Sequence, residues 1–125
     1  MSDLIWQCVR DNHAYLKKGR GPKTLSAEPG NMTNVHNNKF SGLSGKKVAT
    51  MNIVTKGNKQ EITLSKKTTV SKTRTMPSKL FYASSVSKNS KKATASLSKT
   101  LGVYRPDLVA AATEKYQKIK RTLRK

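Results

Sequence analysis

The sequence predicts an α+β fold, a small antiparallel sheet with an N-terminal helix and two C-terminal helices, plus extended basic segments. Three observations carry this. Two alternating segments flank a Gly-Asn pair in mid-chain, helix-period apolar stripes occupy the first dozen residues and the last third, and Gly, Pro and Asn punctuate what lies between. At 125 residues the chain is expected to form a single domain, 1–125.

The first helix is expected from Ser2 to about Asn12. Ser2 suits the N-cap, Asp3 sits where the helix dipole favours an anion, and Leu4, Ile5, Cys8 and Val9 form a stripe expected to be buried. Trp6 lies off that stripe and either extends the core edge or packs on an external surface. Gly19, Gly21 and Pro22, then Glu28-Pro29-Gly30-Asn31, read as turns around short strands at Tyr15-Leu16-Lys17 and Thr24-Leu25-Ser26.

Residues 48–55 and 60–66 form the hairpin. Gly57 supplies the positive φ that a two-residue loop needs, which sets Thr55 opposite Gln60, Ile53 opposite Ile62 and Met51 opposite Leu64. Met51, Ile53, Ile62 and Leu64 therefore share the face expected to be buried, with Asn52, Thr63, Val54 and Glu61 on the other. Residues 66–89 are rich in Lys, Ser and Thr and read as an extended basic segment, ordered by a bound partner. A second helix is expected from Ser90 to Leu101 on the stripe Ala93, Leu97, Leu101, with Gly102 as its C-terminal cap. A third starts at Pro106-Asp107 and carries the stripe Leu108, Ala112, Tyr116, Ile119, Leu123, with Lys118, Arg121 and Lys125 on another face.

Charge decides the class of partner. The chain has 26 Lys+Arg against 6 Asp+Glu, a formal charge of +20. Self-repulsion on that scale opposes compaction unless an anion is bound. Leu, Ile, Val and Phe supply only 24 of the 125 residues, which excludes a large autonomous core. A lone Cys8 cannot form an intramolecular disulfide, and no basic-then-apolar leader or bilayer-length apolar run is present, so an intracellular protein with no membrane partner is expected.

The inventory of reactive groups argues against an enzyme. The six acids are scattered, so no carboxylate pair is set up for acid–base work. His13, His36 and Cys8 fall short of a four-ligand metal site, and His13 reads as a surface residue or a donor to phosphate. Gly19-Arg20-Gly21-Pro22-Lys23 lacks the Gly-Lys-Ser/Thr ending of a phosphate loop. No metal, cofactor or small-molecule substrate is expected.

Nucleic acid is the expected partner. The candidate RNA-binding residues are Arg10, Lys17, Lys18, Arg20, Lys23, Lys39, Lys46, Lys47, Lys66, Lys67, Lys72, Arg74, Lys79, Lys91, Lys92, Arg105, Lys118 and Arg121, spread through every element. Lys outnumbers Arg 20 to 6, which favours phosphate neutralisation over bidentate reading of base edges. Arg10, Arg20, Arg74 and Arg105 are the candidates for specific contacts.

Several segments, in order and spacing, carry a family likeness. Leu4-Ile5-Trp6, Val9-Arg10-Asp11-Asn12, Leu16-Lys17-Lys18, Thr24 to Asn31, Lys39-Phe40-Ser41-Gly42-Leu43 and Tyr104-Arg105-Pro106-Asp107-Leu108 with Ala111-Ala112 together resemble the eukaryotic-type L28e family of cytosolic large-subunit ribosomal proteins. The resemblance implies a small structural protein packed on large-subunit rRNA beside neighbouring large-subunit proteins, without cofactor or catalysis. It implies residence on cytoplasmic ribosomes after nuclear or nucleolar passage during assembly. The resemblance leaves open a large-subunit assembly factor built on the same domain as one alternative, and the charge alone would allow a general DNA-binding basic protein as another.

Overall fold

The structure, a computed structural model, describes residues 2–70 and 75–123. In chain order the elements are α1 (Ser2–Val9), β1 (Leu16–Lys17), β2 (Leu25–Ser26), β3 (Ala49–Lys56), β4 (Lys59–Lys67), β5 (Phe81–Val86), α2 (Ser90–Tyr104) and α3 (Val109–Leu123). Single 3-10 turns form at Asn38–Phe40, Pro77–Lys79 and Pro106–Leu108. The strands make two antiparallel sheets, a β1-β2 pair and a β3-β4-β5 meander. This is the α+β arrangement expected from the sequence.

The hairpin register is as predicted: Met51 opposes Leu64, Ile53 opposes Ile62 and Thr55 opposes Gln60. Gly57 turns the chain at φ 58°, and Lys56 pairs with Lys59 across the two-residue loop. Met51, Ile62 and Leu64 enter the core with Ala93, Leu97 and Leu101 of α2 and Leu108, Ala112 and Tyr116 from the last helical segment. Ile53 does not. It is 41% exposed and opens onto a hollow beside the last helix, shared with Ala111 and Ile119. The opposite face is not uniformly wet either, since Thr50 and Thr63 are buried.

Part of the segment expected to be an extended basic arm is instead structured. Phe81–Val86 pairs along β4 from Lys67 back to Ile62, giving the sheet its third strand. The apolar and aromatic residues at 80–82 and Val86 supply the β preference that the surrounding Lys and Ser obscure. Lys72 and Arg74, both expected to meet RNA, and Lys125 lie outside the described residues.

The helices correct two expectations. No residue of α1 is buried; Leu4 is 62% exposed and the predicted stripe faces outward. Trp6, off the stripe, makes the attachment, its ring 4.9 Å from that of His36, whose Nε2 donates to the Arg10 carbonyl at 2.7 Å. Eight residues present too little apolar area to compete with that aromatic contact. Gly102 does not cap α2, which runs on to Tyr104 before Pro106 forces the break. Tyr104 rewards the extra turn by donating its hydroxyl to the Lys67 carbonyl at 2.8 Å and accepting from the Val48 amide at 3.1 Å.

Candidate nucleic-acid interface

The loop that carries much of the basic surface is built around a buried polar knot. Asn31 is 1% exposed: its Oδ1 accepts from the amides of Thr33 (3.1 Å) and Asn34 (2.8 Å), and its Nδ2 donates to Val35 O (2.9 Å) and Glu28 Oε1 (3.2 Å). The second Glu28 oxygen accepts from Ser41 Oγ at 3.2 Å. A buried carboxylate is tolerated here because neutral donors satisfy both oxygens. Gly30, at φ 94°, lets the chain reverse between Glu28 and Asn31. The Ser26 to Asn31 motif is thus scaffolding, and it fixes where Lys17, Lys39, Lys46 and Lys47 stand.

Tyr104 and Arg105 organise the largest gathering of predicted site residues. Lys39, Lys46, Lys47 and Arg105 line one hollow beside the start of α1. Lys47 and Lys66 both bring their ammonium groups to 5.9 Å from the Tyr104 ring, and Lys66 lies 5.1 Å from the ring of Tyr82. Tyr82 is 48% exposed, leaving ring surface free for stacking. Burial pushes the Tyr104 phenol above its ordinary pKa, against the hydrogen bond from Val48, so it stays a neutral anchor among these cations.

Other predicted residues are engaged within the protein. Arg105 spends its guanidinium on Asp107 (2.6 Å), Lys47 O (3.1 Å) and Lys39 O (3.0 Å). Lys67 Nζ donates to Gly45 O at 3.0 Å, beneath the same loop. Arg10 is exposed beside Asp11, 3.3 Å away. Lys18, Arg20 and Lys23 are exposed on the turn between β1 and β2, Lys79 in the 3-10 turn before β5, Lys91 and Lys92 in the first turn of α2, and Arg121 on α3. Lys17 and Lys118 stand at opposite ends of a groove along β3. The cations among the described residues therefore face several directions.

The two histidines are part-buried and lie together. His13 Nδ1 accepts from the Tyr15 amide at 3.2 Å, and its ring lies 5.2 Å from that of His36. Cys8 is exposed, and among the described residues no three His, Cys, Asp or Glu side chains converge as metal ligands.

One functional candidate is absent from the sequence-based set. Lys115 follows the core-facing stripe of α3 and is part-buried, with Nζ 3.4 Å from Thr50 Oγ1. Its only sequence signal is the three-residue spacing to Lys118, which puts both on one side of the helix.

The sequence comparison settles the family. The ribosomal L28e protein family model matches residues 4–122. The chain belongs to that family. It is 33% identical over 123 residues to the large ribosomal subunit protein eL28 of Dictyostelium discoideum, covering 98% of this chain and 88% of that protein. It is also 41% identical over 59 residues to the eL28 protein of Caenorhabditis elegans, 46% of this chain and 47% of that one. The L28e match runs from α1 to the last turn of α3, so sheet, polar knot and both long helices all lie within it.

Proposed function

We propose that this L28e-family protein is a structural constituent of the cytosolic large ribosomal subunit, held by rRNA and by neighbouring large-subunit proteins. Its role is architectural rather than catalytic. The observation that carries the reading is the family match across residues 4–122 in a chain of charge +20. Lys side chains neutralise rRNA phosphates, while Arg20, Arg74 and the exposed rings of Tyr15 and Tyr82 add shape-fitted and stacking contacts. The Arg105 guanidinium contributes by fixing the backbone that presents Lys39 and Lys47. The protein works on cytoplasmic ribosomes and passes through the nucleolus during assembly.

Sedimentation tests this. A tagged full chain should follow mature large subunits and remain with them through a wash of roughly 0.5 M salt, where the Debye length is only about 4 Å. Confinement to precursor particles would favour an assembly factor, and recovery with chromatin a general DNA-binding protein. Quantitative release in the wash would reduce the interaction to generic polycation binding.

A further inference from the structure

Lys115 is an amine withdrawn from water without a counter-ion. It makes no ion pair among the described residues, whereas Lys56 on the open hairpin holds Glu61 at 3.1 Å. Burial pushes its ammonium below the ordinary lysine pKa, and its hydrogen bond to Thr50 is long at 3.4 Å. A desolvated cation costs free energy that an anion in contact would offset.

The space around it fits such an anion. One hollow, about 380 Å³, lies between the β1-β2 pair, the 28–34 turn and β3, lined by Lys17, Asn34, Thr50, Asn52 and Lys115 among others. A second, about 420 Å³, continues along α3 past Ile53, Lys118 and Ile119. Both are bordered by Asn34 and Lys115, so they adjoin at the outer edge of β3, and we treat the pair as one groove. Two carboxylates border it: Glu28, already taken by Asn31 and Ser41, and the exposed Glu114. The groove is preformed, because the Asn31 side chain holds the Asn34 amide at 2.8 Å and Asn34 stands at φ 59°.

We propose that this groove seats one strand of RNA, with a backbone phosphodiester against Lys115 Nζ, Lys17, Asn34 and Asn52 as further donors, and the adjoining nucleoside over Ile53 and Ile119. The proposal rests on the rRNA-binding reading above and names a place for it that the exposed basic clusters do not include. Lysine and amide donors suit phosphate oxygens, and the aliphatic floor suits a ribose or base face.

The test is binding of the full chain to purified large-subunit rRNA between roughly 0.1 and 0.5 M salt, with a bulk tRNA competitor. Lys115→Gln should weaken binding roughly 3- to 10-fold and flatten the log–log salt slope by about 0.7 to 0.9, the loss of one phosphate contact, while Lys115→Arg restores the slope. Lys99→Gln, an exposed change on α2, should leave the slope as it is. Thermal melting separates this from a structural role: Lys115→Gln should melt at or above the wild-type temperature, since it removes a part-buried charge that has no counter-ion among the described residues. If that variant instead melts lower, Asn52→Asp, at an exposed position, must reproduce the affinity loss. A wild-type slope in Lys115→Gln, or wild-type affinity in Asn52→Asp where the first variant melts lower, overturns the groove proposal. Competition by inorganic phosphate at matched ionic strength, equal to that by RNA, also overturns it, since it marks a free-ion site. A wild-type chain that binds rRNA no better than tRNA, yet loses slope in Lys115→Gln, overturns the rRNA reading and leaves the groove standing. A wild-type chain that binds neither RNA overturns both.

Discussion

Arg105 and Asp107 form a two-pronged ion pair, Nη2 to Oδ2 at 2.6 Å and Nε to Oδ1 at 3.1 Å, across the proline that separates the two long helices. The same guanidinium reaches the carbonyls of Lys47 and Lys39, tying the helical corner to the basic loop. A residue whose charge invites an RNA-binding interpretation is thus a clamp, with the neighbouring lysines as the exposed groups.

Arg105→Lys should therefore fail to rescue Arg105→Ala. Lysine keeps the charge but cannot form the planar fork that serves two carboxylate oxygens and two carbonyls. Both variants should lose roughly 1–3 kcal/mol in urea denaturation, the range for hydrogen bonds to charged groups left unmade. Full stability in Arg105→Lys would show that charge alone suffices.

The partner gives a pH signature. Hydrogen bonding from Arg105 is the main cause that holds the Asp107 carboxyl below its ordinary value of 3.8. A carboxyl depressed in the folded state contributes stability that is full above its unfolded value and lost as pH falls through its folded one. Wild type should lose more stability than Asp107→Asn between about pH 5 and pH 2, whereas at neutral pH wild type should be the more stable. Urea midpoints for the two proteins at each pH check this; parallel curves would remove Asp107 from the acid response.

The hairpin supplies a contrast within one face of the sheet. Ile62 is 3% exposed and Ile53, its cross-strand partner, 41%. Ile62→Asp should cost roughly 3–5 kcal/mol by burying an unpaired charge, while Ile53→Asp and Val54→Asp should each cost under about 1 kcal/mol. Chemical denaturation of the three variants decides it, and equal losses at 53 and 62 would mean that helix or partner covers the hairpin tip.

What could be read from the sequence follows from the range of the physics involved. The Gly57 turn and the alternation beside it are local, so the register was legible down to Met51 opposite Leu64. The stripes of α2 and α3 were legible because several turns repeat the same side. Whether a legible stripe is covered depends on distant chain. Leu4 and Ile53 sit on correctly drawn apolar faces and remain exposed, since α1 is held by Trp6 and His36 and Ile53 opens onto a hollow beside α3. Long-range polar ties escaped altogether: nothing near Tyr104 in sequence announces Val48 and Lys67, and nothing near Arg105 announces Lys39.

Two glycines, Gly42 and Gly102, should respond oppositely to alanine. A Cβ on Gly42 would lie 1.9 Å from the Pro29 carbonyl oxygen, a backbone atom locked by the Glu28 and Asn31 knot. Relief requires the whole loop to shift, so Gly42→Ala should destabilise by roughly 2–4 kcal/mol. Gly102 looks like a helix cap in the sequence but lies inside α2, exposed, with nothing within 4 Å of the added atom. Its φ is not in the positive range, so alanine fits the backbone and restricts the unfolded chain, and Gly102→Ala should stabilise by about 0.5–1 kcal/mol. Thermal melts of the two single variants distinguish the readings: a loss of stability in Gly102→Ala would restore the capping role and end α2 at Leu101, ahead of the tyrosine that ties this helix to the sheet.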